Sequence, residues 1–177
     1  MNRTKIKNLA MGAVMTAVMC ILAPISIPIK PVPISLGVFS AFLTGLLLPG
    51  NYAVISVLAY VGIALLGLPV CAGYTGGPAI VLGPTGGYIA GFFFIAFMSS
   101  VGVRSRGRVT LCISMLAGLF MCYLFGTVWY MALTKTALKA AIMACVAPFV
   151  PLDIAKGAAA LAFRAVLEKT PVLRSSK

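Results

Sequence analysis

The chain has 177 residues, of which 62% are hydrophobic and only 9% charged, with a mean hydropathy of +1.11. Soluble domains carry about 25% charged residues, so this chain cannot cover a soluble surface and reads as a polytopic membrane protein. Its net charge of +12 does not point to nucleic acid, because the basic residues fall at the ends of apolar runs with no basic stripe interleaved with aromatics.

Arg3, Lys5 and Lys7 lead into an apolar run from Leu9 to Ala23, which resembles a secretory signal. The cleavage-like AVMC carries Met19, not a small residue, before Cys20. Further apolar segments follow, so a retained first helix over 7–24 is expected, stopped by Pro24. Ala13 and Ala17 in it form a small-xxx-small pattern, extended by Ala10 and Gly12. Two readings of that smooth face stay open, a partner surface or packing within the same bundle.

Pro28, Pro31 and Pro33 keep PISIPIKPVPIS extended or turned. A short second helix spans 36–48, ending in the turn LPGN, and a third spans 52–67. The Gly-rich LPVCAGYTGGPAIVLGP, 68–84, is expected to be a loop. A fourth helix over 85–102 opens with Thr85, Gly86, Gly87 and Tyr88 behind Pro84. RSRGR (104–108) is a polar turn, and the fifth helix covers 109–133. Trp129 and Tyr130 near its end read as interface anchors. A further helical piece covers 135–147, and a sixth spanning helix covers 151–168 with Pro151 in its first turn.

With the N-terminus inside, ten of the 14 basic residues fall on the cytoplasmic side. Lys30, Lys135 and Lys139 fall outside, and Lys156 lies within a span. The expectation is therefore an all-α integral membrane protein. It has one domain over 1–177, six transmembrane helices, both termini cytoplasmic, and long first and third loops on the outer side. Those loops are nearly uncharged, and irregular backbone at a bilayer is tolerated where it packs on protein or lines a cavity. A lidded pocket in the outer half follows.

Asp153 and Lys156 stand at i and i+3 and share a helix face. Charge at membrane depth costs at least about 2.5–3.5 kcal/mol and usually faces an interior or a cavity. Two readings stay open: a ligand site, or a first-turn cap with an ion pair. Gly73, Gly76 and Gly77, then GPTGGY at 83–88, fit either a flexible lid or a close contact surface. Tyr74 and Tyr88 offer rings with hydroxyl handles, although interfacial anchoring suits Tyr74 equally. The cysteines Cys20, Cys71, Cys112, Cys122 and Cys145 form no CxxC pair and read as small buried hydrophobes. His is absent and no second carboxylate stands near Asp153, so no catalytic constellation, metal site or cofactor motif emerges. Any ATP-driven work must come from a partner, since no nucleotide-binding motif is present.

Taken together, GLPVCAG (67–73), LGPTGGYIAGF (82–92) and PFVPLDIAK (148–156) resemble the signature blocks of the BioY family, with VPISLG (32–37) and LLLPG (46–50) in agreement. That family supplies the biotin-specific substrate-binding (S) component of energy-coupling factor (ECF) transporters. Cys71 stands where the family often has Phe. The resemblance covers most of the chain and implies a biotin pocket roofed by the first and third loops. It implies substrate contacts at Asp153, Lys156 and the PTGGY block, Thr85, Gly86, Gly87 and Tyr88, to which the reading of the residues adds Gly73 and Tyr74 as candidate substrate contacts; no metal and no cofactor is expected. It also implies a plasma-membrane location and assembly with a membrane coupling protein and two ABC-type ATPases, reached through Ala13 and Ala17. The subunit would tilt in the bilayer to deliver biotin inward. By chemistry Asp153 suits the ureido N–H groups, and the group met by Lys156 stays open. A relative of the same architecture for another vitamin, such as thiamine, and a small proton-coupled carrier using Asp153 are the alternatives.

Overall fold

A computed structural model describes residues 3–29, 32–105 and 107–169. Lys30 and Pro31, named above, and Arg106, Arg174 and Lys177, counted among the cytoplasmic basic residues, lie outside the described residues. In chain order the elements are α1 (Arg3–Leu22), β1 (Ser26–Ile27), β2 (Ile34–Ser35), α2 (Gly37–Leu47), α3 (Gly50–Leu65), α4 (Pro78–Val81), α5 (Gly86–Arg104), α6 (Arg108–Thr134), α7 (Leu138–Cys145) and α8 (Val150–Lys169).

Helix α5 lies at the centre and packs on α2, α3 and α6, while α8 closes on α2 and α1 lies across α2 and α3. Close approach needs small residues. A Cβ on Gly45 of α2 would run into the Ala96 carbonyl of α5, and one on Gly91 of α5 would meet Cys122 of α6. Hydroxyls stitch α1 to α3: Thr16 donates to the Ser56 carbonyl at 3.2 Å, and Ser56 Oγ donates to the Gly12 carbonyl at 3.0 Å. That stitching fixes the rotation of α1. Gly12, Met15, Thr16 and Met19 are buried, and Ala13 and Ala17 face outward. Packing within the bundle is therefore carried by Gly12 and Thr16 and not by the alanine pair.

By length and composition α1, α5 and α6 can cross a membrane, and α7 with α8, bent by 44°, can make a fourth crossing. The two remaining apolar helices are shorter. The 11 residues of α2 reach roughly 16 Å and the 16 of α3 roughly 24 Å, at about 1.5 Å per residue and against a hydrocarbon core of about 30 Å. Helix α2 is buried nearly all round, from Ser40 to Leu46, as a helix apolar on every face should be. The outer surface presents Ile21, Ile113, Phe120, Val128 and Val166, a suitable contact for lipid chains.

The connections are more structured than the sequence suggests. Within 24–35, Ser26 pairs with Ser35 and Ile27 with Ile34 in a small antiparallel ladder. Within 68–84, a bridge joins Cys71 to Thr75 and a four-residue helix, α4, begins at Pro78. Proline punctuation hid both, because short ladders and single helical turns leave no periodicity to read.

Candidate functional site

A cavity of about 580 Å³ lies where α1 ends, α2 begins, α5 begins and α8 begins. Its size is that of a small-molecule site, roughly 300–1,000 Å³. The walls are apolar: Val38, Ile80, Ile89, Phe92 and Phe149. Among the described residues, Asp153 and Lys156 are the charged ones on the wall, and Tyr60, Tyr88, Tyr123, Thr85, Ser35 and Thr75 supply hydroxyls.

Asp153 reaches this wall because α8 starts immediately before it. Pro151 is the second helical residue, where its missing N–H costs nothing, and the Asp153 N–H donates to the Phe149 carbonyl at 2.8 Å. The carboxylate is 2% exposed, and both of its oxygens are engaged. Lys156 Nζ donates to Oδ1 at 2.7 Å, and the Tyr123 hydroxyl donates to Oδ2 at 2.7 Å. The ion pair foreseen at i,i+3 is thus present, and the side chain spends its oxygens on it and on Tyr123. Each carboxylate oxygen keeps a further lone-pair direction, so the pair can still receive a donor from a ligand.

Tyr88 also lines the cavity, packed with Phe149 and Tyr123. Its hydroxyl shares a hydrogen bond with Thr127 Oγ1 at 3.1 Å, and its ring lies where a Cβ on Gly126 would stand. Gly86 and Gly87 are buried behind the wall rather than on it. A Cβ at Gly86 would strike the Val81 carbonyl, and one at Gly87 would strike Trp129. These two glycines let α5 start tightly under α4 and beside α6, which aims Thr85 and Tyr88 at the cavity.

The connections over 24–35 and 68–84 close over the same space and are tied to each other. The Gly73 N–H donates to the Pro24 carbonyl at 3.0 Å, with Gly73 at φ +72°. Tyr60 donates to the Val70 carbonyl at 3.0 Å, and the Gly77 N–H to the Ala64 carbonyl at 2.7 Å. Burial pushes the Cys71 thiol up, partly offset by its hydrogen bond with Tyr60, so it stays neutral among the apolar lining. Tyr74 sits at the tip in a left-handed conformation, 69% exposed and away from the cavity. Trp129, expected at an interface, donates its Nε1–H to the Gly83 carbonyl at 3.0 Å and pins the segment before α5.

Of the residues singled out from the sequence, Asp153, Lys156, Tyr88 and Thr85 meet on one cavity. Gly86 and Gly87 support it, Gly73 ties the loops, and Ala13 and Ala17 lie on the outer surface. Tyr123, Phe92, Tyr60 and Phe149 were not singled out. The only signal for Tyr123 is its spacing with Leu119 and Thr127 on the inner face of α6, four residues either way.

A family model described as the BioY family matches residues 1–171. A "Probable biotin transporter BioY" of Pyrococcus horikoshii is 38% identical over 157 residues, covering 89% of this chain and 93% of the relative. A "Biotin transporter BioY" of Thermotoga maritima is 34% identical over 171 residues, covering 95% and 99%. Among solved structures, a crystal structure of the S-component for biotin from an ECF-type ABC transporter matches with a TM-score of 0.86 and 31% identity, over 96% of this chain and 95% of that one.

Proposed function

The chain belongs to the BioY family, and from that premise we propose that it is the biotin-binding S component of an ECF-type transporter. It is a multi-pass membrane transport subunit and not an enzyme. The observation that carries the reading is the buried Asp153–Lys156 pair on the wall of an otherwise apolar cavity, in a chain whose fold matches a biotin S-component along its length.

Biotin has a polar ureido ring, an apolar bicycle and chain, and a carboxylate. An apolar cavity with a few convergent polar groups suits it. In the proposed arrangement Asp153 accepts from the ureido N–H groups by charge-assisted bonds, and Lys156 faces the ureido oxygen or the carboxylate. Thr85 and Tyr88 make further contacts from the start of α5. Gly86 and Gly87 let those side chains approach, while Gly73 and Tyr74 belong to the lid. The chain crosses the plasma membrane six times, with α2 and α3 as short spans, α7 with α8 as one broken span, and both termini in the cytoplasm. The cavity then opens outward. Ala13 and Ala17 meet a membrane coupling protein that carries two ABC-type ATPases, and movement of the whole subunit delivers biotin inward. The outward-facing position of both alanines supports that surface.

The test is biotin titration of the purified chain, with mass spectrometry for co-purified biotin. Biotin at equimolar occupancy and loss of binding in Asp153→Asn and Lys156→Ala are expected. Near wild-type affinity in both variants would sink the assigned roles. Displacement of biotin by thiamine at lower concentration would reassign the substrate.

A further inference from the structure

A second cavity, about 800 Å³, lies at the other end of the bundle, where α1 begins, α2 turns into α3, and α5 and α8 end. Among the described residues, three cations line it, Lys7, Arg104 and Arg164, against one carboxylate, Glu168. Glu168 Oε1 accepts from Arg164 Nε at 3.0 Å and stands 2.9 Å from Nη2. The remaining guanidinium nitrogen, Nη1, is sealed from solvent with no acceptor among the described residues. A buried donor left unmade is costly; as the side chain stands it does not open on the cavity, and a rotation of the guanidinium would bring it to an anion's oxygen there. Helix α3 adds to the positive field. It starts at Gly50 behind Pro49 with no side-chain cap, so the first N–H groups of a 16-residue helix end at this cavity. The deeper walls are apolar, from Met11, Leu47 and Val103.

We propose that this cavity holds the phosphodiester headgroup of an anionic membrane phospholipid, with an acyl chain along the apolar wall. The inference rests on the proposed topology, which puts these helix ends at the cytoplasmic membrane surface, where lipid phosphates lie. Basic pockets between membrane helices on that side suit acidic headgroups. The site is separate from the alanine surface. On α1 it uses Thr4, Lys7, Asn8 and Met11, a stripe at helical spacing on nearly the opposite face from Ala13 and Ala17. A bound lipid therefore anchors the cytoplasmic end without occupying the coupling face.

The experiment is native mass spectrometry of the full chain, delipidated in detergent and titrated with phosphatidylglycerol, phosphatidylcholine or inorganic phosphate. The expected result is one phosphatidylglycerol bound at least tenfold more tightly than phosphatidylcholine, weakening as salt screens the charges. Lys7→Gln with Arg104→Gln should lower that affinity at least fivefold, and Arg164→Gln should do the same if it folds. Biotin affinity should stay within twofold throughout. Equal retention of the two lipids, or unchanged affinity in the Lys7→Gln/Arg104→Gln variant, would overturn the proposal. Displacement of the lipid by phosphate at equal concentration would also overturn it, and would reassign the site to the free ion. Failure of the wild type to bind biotin would count against the transport reading alone.

Discussion

Asp153 and Lys156 should be coupled in stability as well as in binding, and the two can be separated. Asp153 is 2% exposed and Lys156 14%, with 2.7 Å between them. Replacing Lys156 by Met leaves a buried carboxylate with only the Tyr123 hydroxyl. Breaking a buried pair by removing one partner costs about 3–5 kcal/mol. The Tyr123 bond offsets part of this, so a loss of about 3 kcal/mol is expected, or about 6–12 °C in Tm for a chain of this size. Asp153→Asn should cost less. Its amide can keep the Tyr123 contact, and the lysine stem can turn its ammonium toward water. The double variant Asp153→Asn/Lys156→Met removes both charges and should return to within about 1 kcal/mol of wild type.

The assay is unfolding of the ligand-free protein in one detergent, because bound ligand stabilises the folded state by mass action and would mask the difference. Biotin titration of the same samples is the second readout, and all three variants should bind at least about tenfold more weakly, as loss of a charge-assisted hydrogen bond implies. Additive destabilisation in the double variant would refute the coupling. Wild-type biotin affinity in the double variant would show that the pair serves the fold alone.

Three further outcomes are expected. Tyr123→Phe removes the hydroxyl from Oδ2 and should weaken biotin binding by about tenfold, the worth of about 1.4 kcal/mol; unchanged affinity on titration would mean that Lys156 alone orients the carboxylate. Gly126→Ala drives a Cβ into the Tyr88 ring and should cost about 1–3 kcal/mol of stability with a loss of affinity, read by thermal unfolding and titration together. Ala13→Trp, on an outward position, should leave biotin affinity and Tm unchanged while abolishing co-purification with a coupling module; loss of biotin binding would mean that the face supports the bundle.

Much of this architecture was legible because charge is so rare in the chain. In a 177-residue sequence with two acidic residues, Asp153 is conspicuous, and Pro151 places it in a first helical turn. Glycine clusters behaved differently. GPTGGY marked a place where backbones come close, but which atoms they make room for, Trp129 against Gly87 and Val81 against Gly86, depends on packing between distant segments. Tyr123 was not legible at all. An aromatic on an apolar helix looks the same whether its hydroxyl meets lipid, water or a carboxylate 30 residues away. The same holds for Trp129, whose specific carbonyl partner, Gly83, no general preference of Trp for interfaces could name. The alanine pair was ambiguous for a related reason. Small-xxx-small describes a surface, and only the hydroxyl stitching by Thr16 and Ser56 decides which side of α1 turns inward.

The break between α7 and α8 explains how a charged pair can stand there. Pro148 and Pro151 cannot both continue one helix, because each lacks an N–H. The chain bends by 44° between Cys145 and Val150 and starts afresh. The new helix start brings the positive end of the α8 dipole to the cavity, where it favours a carboxylate. Irregular backbone at membrane depth is acceptable only against protein or a cavity. Here the first turn meets both, since Phe149 and Asp153 line the cavity while Tyr123 of α6 bonds to the carboxylate. Lys156, one turn on, neutralises the charge from the same helix. The pair, the break and the cavity are thus one device: an unbroken helix through residues 138–169 would have to carry Asp153 without the helix start that favours it.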